Sequence, residues 1–248
     1  MNVLKASKTW MLLLFLGLSL VACQEDDLID IPEEPTTESP AAPQPDLGPG
    51  DGAFWAINAI TTTTQPVIGS LDTEIGTAVA VLSNDNFNSY IDAGDIQVMG
   101  NALTKNENKS YTYIPGTTQP LGLQFPTTFD WSIGGSGSVT AFNHTVEFPF
   151  PDLGKITSAE TVTKADGYTL TCESVGNADA ILFLVGGVVK EVAGDVTSVD
   201  FTASELAGVS TGTNFIQIAA YTYKEETIGG KTYYFGNETV RSVTVEVK

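Results

Sequence analysis

The chain has 248 residues, with 30 Asp and Glu against 11 Lys and Arg, a formal charge of −19 at pH 7. Arg241 is its only arginine, so there is no basic surface to neutralise nucleic-acid phosphates or anionic head groups. One histidine and two cysteines argue equally against a zinc centre and against a disulfide framework. At the N-terminus, Lys5 and Lys8 precede an apolar run over residues 10–21. That run is short of the ~20 residues a spanning helix needs. It fits the apolar core of a secretory signal.

Leu20-Val21-Ala22-Cys23 closes the run, with small Ala22 just ahead of the cysteine. This stretch resembles the lipobox of bacterial lipoproteins. The resemblance implies a signal peptide over residues 1–22, palmitate-type lipidation of Cys23 and a membrane partner reached through that lipid. A single acyl chain anchors only marginally, at about 0.8 kcal/mol per buried methylene. The resemblance implies a diacylglyceryl thioether plus a third, amide-linked chain, and hence permanent anchoring. Gln24-Glu25-Asp26-Asp27 follows at once and is similar to the acidic export tag of surface lipoproteins in Gram-negative bacteria. Outer-membrane localisation with display at the cell surface is therefore expected. The alternative is that these carboxylates merely begin a tether on a protein facing the periplasm.

Loss of Lys5 and Lys8 with the signal takes the formal charge to −21. Residues 24–51 hold nine acids, no Lys or Arg, and six prolines (Pro32, Pro35, Pro40, Pro43, Pro45 and Pro49). Such a segment buries too little apolar surface to offset the entropy of ordering. Self-repulsion and proline keep it extended. Residues 23–51 are thus expected to form a lipidated N-terminus and a disordered acidic linker.

Beyond residue 51, short runs of alternating apolar and polar residues are broken by Gly, Asn, Asp and Pro, the pattern of strands and turns. Strands are predicted over 54–60, 77–82, 96–98, 109–114, 129–133 and 138–148. After Phe148-Pro149-Phe150-Pro151 they continue over 161–173, 180–185, 188–192, 197–202, 214–223, 231–235 and 240–247. Only residues 203–207 suggest a helical turn, with Thr202 and Glu205 spaced as a capping box. The chain is therefore predicted to be all-β. Proline cannot donate to a ladder, so Pro149 and Pro151 mark a boundary between one β-sandwich over 52–150 and another over 151–248. A single continuous sandwich is the alternative. The second half has about seven strands, the number expected of a sandwich. Its strand Ala180-Ile181-Leu182-Phe183-Leu184-Val185, the corner at 204–208 and the strand from Phe215 to Tyr221 resemble bacterial immunoglobulin-like or fibronectin-III-like domains. The resemblance implies two tandem antiparallel sandwiches if the first half folds alike. The cysteine pair and buried tryptophan of true immunoglobulin domains are missing.

No catalytic set assembles from the sequence. His144 shares a strand face with Phe142, Val146 and Phe148, the setting of a half-buried structural histidine. Gly208-Val209-Ser210-Thr211-Gly212 matches G-x-S-x-G, but a strand follows the serine and no histidine comes after it, unlike a nucleophile elbow. Gly134-Gly135-Ser136-Gly137-Ser138 lacks the lysine of a phosphate loop. Asp85-Asn86-Phe87-Asn88 lacks the spacing of an EF-hand and reads as a turn. Cys172 alternates with Tyr168 and Leu170 and reads as a small buried hydrophobe. No cofactor and no metal is expected. A glycosidase pair of carboxylates is defined by separation in space and is not legible in sequence.

One strand offers a candidate surface. Along 215–223, Ile216, Ile218 and Ala220 fall on one face and Gln217, Tyr221 and Tyr223 on the other. With the aliphatic face inward, both tyrosines stand outside, and Tyr233 on the next strand is a candidate neighbour. Tyr221, Tyr223 and Tyr233 are then candidate ligand-binding residues, since a phenol combines an apolar body with a hydrogen-bonding tip. The competing reading makes them cross-strand pairs that stabilise the sheet. The function expected is that of a non-enzymatic surface lipoprotein binding a glycan or a surface protein. The alternatives are a structural subunit of an outer-membrane assembly and a carboxylate-pair glycoside hydrolase.

Overall fold

The structure is a computed structural model describing Pro45, residues 47–65 and residues 69–248, with side chains at 63–65, 69 and 70 excepted. The expected signal peptide, Cys23, the acidic cluster and the tether up to residue 44 lie outside the described residues. In chain order the strands are β1 (Gly52–Gln65), β2 (Gly69–Leu82), β3 (Ile96–Val98), β4 (Asn101–Ala102), β5 (Thr104–Lys105) and β6 (Tyr111–Tyr113). Then come β7 (Phe129–Ile133), β8 (Phe142–Val146), β9 (Asp152–Leu153), β10 (Thr161–Val162), β11 (Tyr168–Thr171) and β12 (Val175–Gly176). The chain ends with β13 (Ala180–Val185), β14 (Val188–Ala193), β15 (Ser198–Phe201), the helical turn α1 (Ala203–Leu206), β16 (Gly212–Ile228) and β17 (Lys231–Val247). The fold is all-β, as the alternation predicts.

One large sheet organises the whole. Its strands run β14-β13-β16-β17-β1-β2-β6-β5, with β10 added beside β17. The 17-residue strands β16 and β17 form its spine. They meet in a two-residue turn, Gly229-Gly230, where φ is 62° and 80°. Positive φ at both positions matches the strand twist, and glycine reaches it without a Cβ clash. The first strand completes the sheet by pairing with the last: β1 runs parallel to β17, from Gly52 opposite Tyr233 to Thr61 opposite Ser242.

Two cores lie on the same face of this sheet. The first gathers Phe54, Tyr233 and Phe235 from the sheet and Phe129, Trp131 and Ile133 from β7, in the covering layer β4-β3-β7-β8. The second gathers Ile181, Phe183, Ile216, Ile218, Val245 and Val247 from the sheet, with Leu170 of β11 and Phe201 of β15 above them. Tyr233 and Phe235 serve the first core and Val245 and Val247 the second, all at odd positions of β17. A cut at residue 150 would part Tyr233 and Phe235 from the rest of the first core, and the sheet runs undivided across both cores.

The proline step is held as a strap across that sheet. Asn237 Nδ2 donates to the Phe148 carbonyl, Thr239 Oγ1 to that of Pro151 and Arg241 Nε to that of Leu153, each at 2.8 Å. Arg241 also reaches Asp72 of β2, Nη1 to Oδ2, at 2.9 Å. Three successive odd positions of β17 thus satisfy the carbonyls of a segment whose prolines have no N–H to offer. The predicted strands 231–235 and 240–247 are accordingly one: Gly236-Asn237-Glu238-Thr239 has the composition of a turn, but cross-strand bonding on both sides keeps it extended. The predicted strand 161–173 is instead divided, because a 3₁₀ turn over Lys164–Asp166 interrupts it.

Local expectations are met in several places. Thr202 Oγ1 accepts from the Glu205 N–H while the Glu205 carboxylate accepts from the Thr202 N–H at 2.8 Å, a complete capping box. Cys172 is buried in the second core, and burial pushes its thiol pKa up. His144 is half-buried and stacks on Phe235 with ring centroids 3.8 Å apart. Burial lowers its pKa. Asp85 closes a turn, its carboxylate accepting from Ser83 Oγ, the Ser89 N–H and Ser89 Oγ.

Candidate binding face

The sheet has a second face, opposite both cores. Period-two geometry and the strand registers place Leu182 and Leu184 of β13, Ala219, Tyr221, Tyr223 and Glu225 of β16, and Tyr234, Gly236, Glu238 and Val240 of β17 on it. From β1 and β2 come Trp55, Ile57, Thr77 and Val79. Leu182, Leu184, Val79, Trp55 and Tyr221 are buried, although they belong to neither core.

Four rings cluster here. Trp55 lies edge-on to Tyr221 with centroids 6.0 Å apart and 6.5 Å from Tyr223. Tyr221 and Tyr223 stack at 6.2 Å, and Tyr223 meets Tyr234 edge-on at 5.9 Å. Gly236 makes the arrangement possible: a Cβ built on it would stand 2.1 Å from Trp55 Cζ3, so the indole lies directly on bare backbone. Centroid distances of this size are those of favourable aromatic pairs.

The hydroxyls are tied down. Tyr221 Oη donates to the Glu191 carboxylate on β14, and Tyr234 Oη donates to the Pro49 carbonyl at 3.1 Å. Burial, and then the Glu191 carboxylate, pushes the Tyr221 pKa well above the ordinary phenol value. Burial, and then Glu225, raises that of Tyr234.

Glu238 stands among these rings. It pairs across the ladder with Tyr221 on one side and Ile57 on the other, at 8% exposure. Its carboxyl has no hydrogen bond or ion pair among the described residues. Loss of hydration disfavours the charged form, and burial pushes the pKa up to about 8. Most buried ionisable side chains are paired. This one is not.

Of the three tyrosines read from the sequence, the structure brings Tyr221 and Tyr223 together but separates Tyr233. Tyr233 occupies the odd parity of β17 and packs in the first core against Phe54 and Phe142, at 2% exposure. Its neighbour Tyr234 takes the place expected of it. Tyr221 is buried within the cluster rather than standing free, and Tyr223 is half-buried. Trp55, Tyr234 and Glu238 were not legible as partners. Phe54 and Trp55 are adjacent on β1 and so face opposite ways, but nothing local says which strand Trp55 meets. Lipidation at Cys23 lies outside the described residues. No protein-family model matches the chain, and no curated protein matches it.

Proposed function

We propose that this chain is a non-enzymatic lipoprotein, anchored through Cys23 and displayed at the outer-membrane surface. In this reading its two cores correspond to two immunoglobulin-like sandwich modules, which share a sheet and offer an aromatic face to a ligand. The observation that carries the binding role is the cluster of Trp55, Tyr221, Tyr223 and Tyr234 on one face of a rigid sheet, away from both cores. Flat rings with polar rims suit the apolar faces of sugars or the side chains of a protein partner. Rings held by mutual packing lose little freedom on binding, which favours affinity. The lipobox and acidic cluster support the address, and the acidic, proline-rich stretch supports a tether that holds the folded part off the membrane.

The test is retention of the full chain on arrayed glycans and on surface proteins, compared with Tyr223→Ala. Tyr223 is the least buried of the three β16 and β17 rings of the cluster, so it can be truncated with least damage to packing. Binding lost at unchanged melting temperature supports the role; binding unaffected by the truncation places the site elsewhere.

A further inference from the structure

We propose that Glu238, with the ring faces of Trp55, Tyr221 and Tyr223, forms a site for an alkylammonium group. This inference rests on the binding-face reading and names the chemistry of its ligand.

Three observations carry it. The first is charge. Across β14, β13, β16, β17, β1, β2, β6 and β5, registers and alternation put Glu191, Glu225, Glu238 and Glu246 on this face and not one lysine or arginine among the described residues. The second is the unsatisfied carboxyl. Glu238 is more than nine-tenths buried and has no hydrogen-bond donor among the described residues, so a cation that reaches it gains a charge-assisted hydrogen bond. The third is the rings. Indole and phenol faces attract cations, by about 0.5–1 kcal/mol when exposed and about 2 or more when desolvated. Among the described residues the cation–π contacts, Lys190 over Phe201 and Lys224 over Phe148, are built on residues of the core side and none falls on Trp55, Tyr221, Tyr223 or Tyr234.

A primary ammonium fits better than a metal ion. Aromatic faces supply no oxygen ligands, and hard cations require several. On binding, Glu238 releases its proton to solvent and the ammonium replaces it as the carboxylate's partner. Affinity must therefore climb with pH through the range in which free Glu238 is still protonated. The other titratable groups facing this site are Glu191 of β14, Tyr221, Tyr223 and Glu225 of β16, and Tyr234 of β17. The facing residues of β13, β1 and β2 do not titrate. All these groups survive in Glu238→Gln, so a pH dependence that belongs to them survives as well.

The experiment is calorimetric titration of the full chain with n-butylammonium chloride at pH 6, 7 and 8, with sodium chloride and n-butanol as controls. Saturable butylammonium binding, tightening about tenfold per pH unit from 6 to 7 and less from 7 to 8, supports the site. So does a loss of at least tenfold, with loss of the pH slope, in Glu238→Gln. Trp55→Phe, which keeps a ring but a weaker cation partner, should lose affinity severalfold. A lysine-bearing peptide serves as a second probe: binding well above butylammonium makes the source a protein partner, and equal binding makes it a free amine, either being support. No saturable butylammonium binding, or binding equal in Glu238→Gln, overturns the inference. If glycans or proteins still bind in a Tyr223-dependent way, the face reading stands and only the ammonium site falls. If nothing binds, both fall.

Discussion

Replacing Glu238 with Gln should stabilise the protein near neutral pH and flatten its stability profile. In the unfolded chain the carboxyl titrates near 4.5, and in the fold burial pushes it up to about 8. Between these values the folded state holds a proton that the unfolded state has lost. Stability therefore falls as pH rises through that window, and the penalty is complete above the folded value. Each unit corresponds to about 1.36 kcal/mol, so wild type should lose about 3 kcal/mol between pH 4.5 and 7 and about 4 kcal/mol by pH 8. Glutamine keeps the shape and removes the ionisation. The assay is urea unfolding of both proteins from pH 4.5 to 8.5, read as their difference at each pH. His144, lowered by burial, contributes an opposite slope below its ordinary 6.5, but it is common to both proteins and cancels. The carboxylates of Asp92 and Glu205, held at about 2 by hydrogen bonds from Lys105 and Lys190, lose their contribution only in acid, below the window. A difference that does not change with pH would refute the claim that Glu238 is buried and unpaired.

Gly236→Ala should destabilise by about 1–3 kcal/mol and shift tryptophan emission, because the new methyl would occupy the position of the Trp55 ring; thermal melts with fluorescence check this, and unchanged values would mean the indole does not rest there. Thr239→Val should cost about 1–3 kcal/mol in urea unfolding by leaving the Pro151 carbonyl without its donor. It should also speed proteolysis near residues 148–153, whereas wild-type resistance would deny the strap. Metabolic palmitate should label the wild type and not Cys23→Ala, and a labelled, membrane-bound variant would remove the lipobox reading.

Patterns confined to one element were legible. The apolar run of β13, the capping box at Thr202 and the parity of Tyr221 and Tyr223 against Ile216 and Ile218 all follow from nearest-neighbour spacing. What failed needed tertiary context. Tyr233-Tyr234-Phe235 places an aromatic ring at every parity, so only the register decides which tyrosine faces outward, and a slip of one residue exchanges the faces. Gly236-Asn237-Glu238-Thr239 has the composition of a break, yet each residue answers to something remote: Gly236 to the Trp55 ring, Asn237 and Thr239 to the strap carbonyls. The parallel pairing of β1 with β17 joins the two ends of the folded part and leaves no local mark. It is this pairing that delivers Trp55 to the tyrosines and Glu238.

The most direct test of a ligand-binding aromatic face uses the chain's tryptophans as reporters. Trp55 belongs to the face and Trp131 is fully buried in the first core. The full chain labelled with 5-fluorotryptophan would be followed by fluorine NMR while butylammonium, and each glycan retained on the array, is titrated in. A ligand seated on the aromatic face gives a saturable shift of the Trp55 resonance with Trp131 unmoved. A ligand that saturates the protein while leaving Trp55 unchanged would contradict binding at that face.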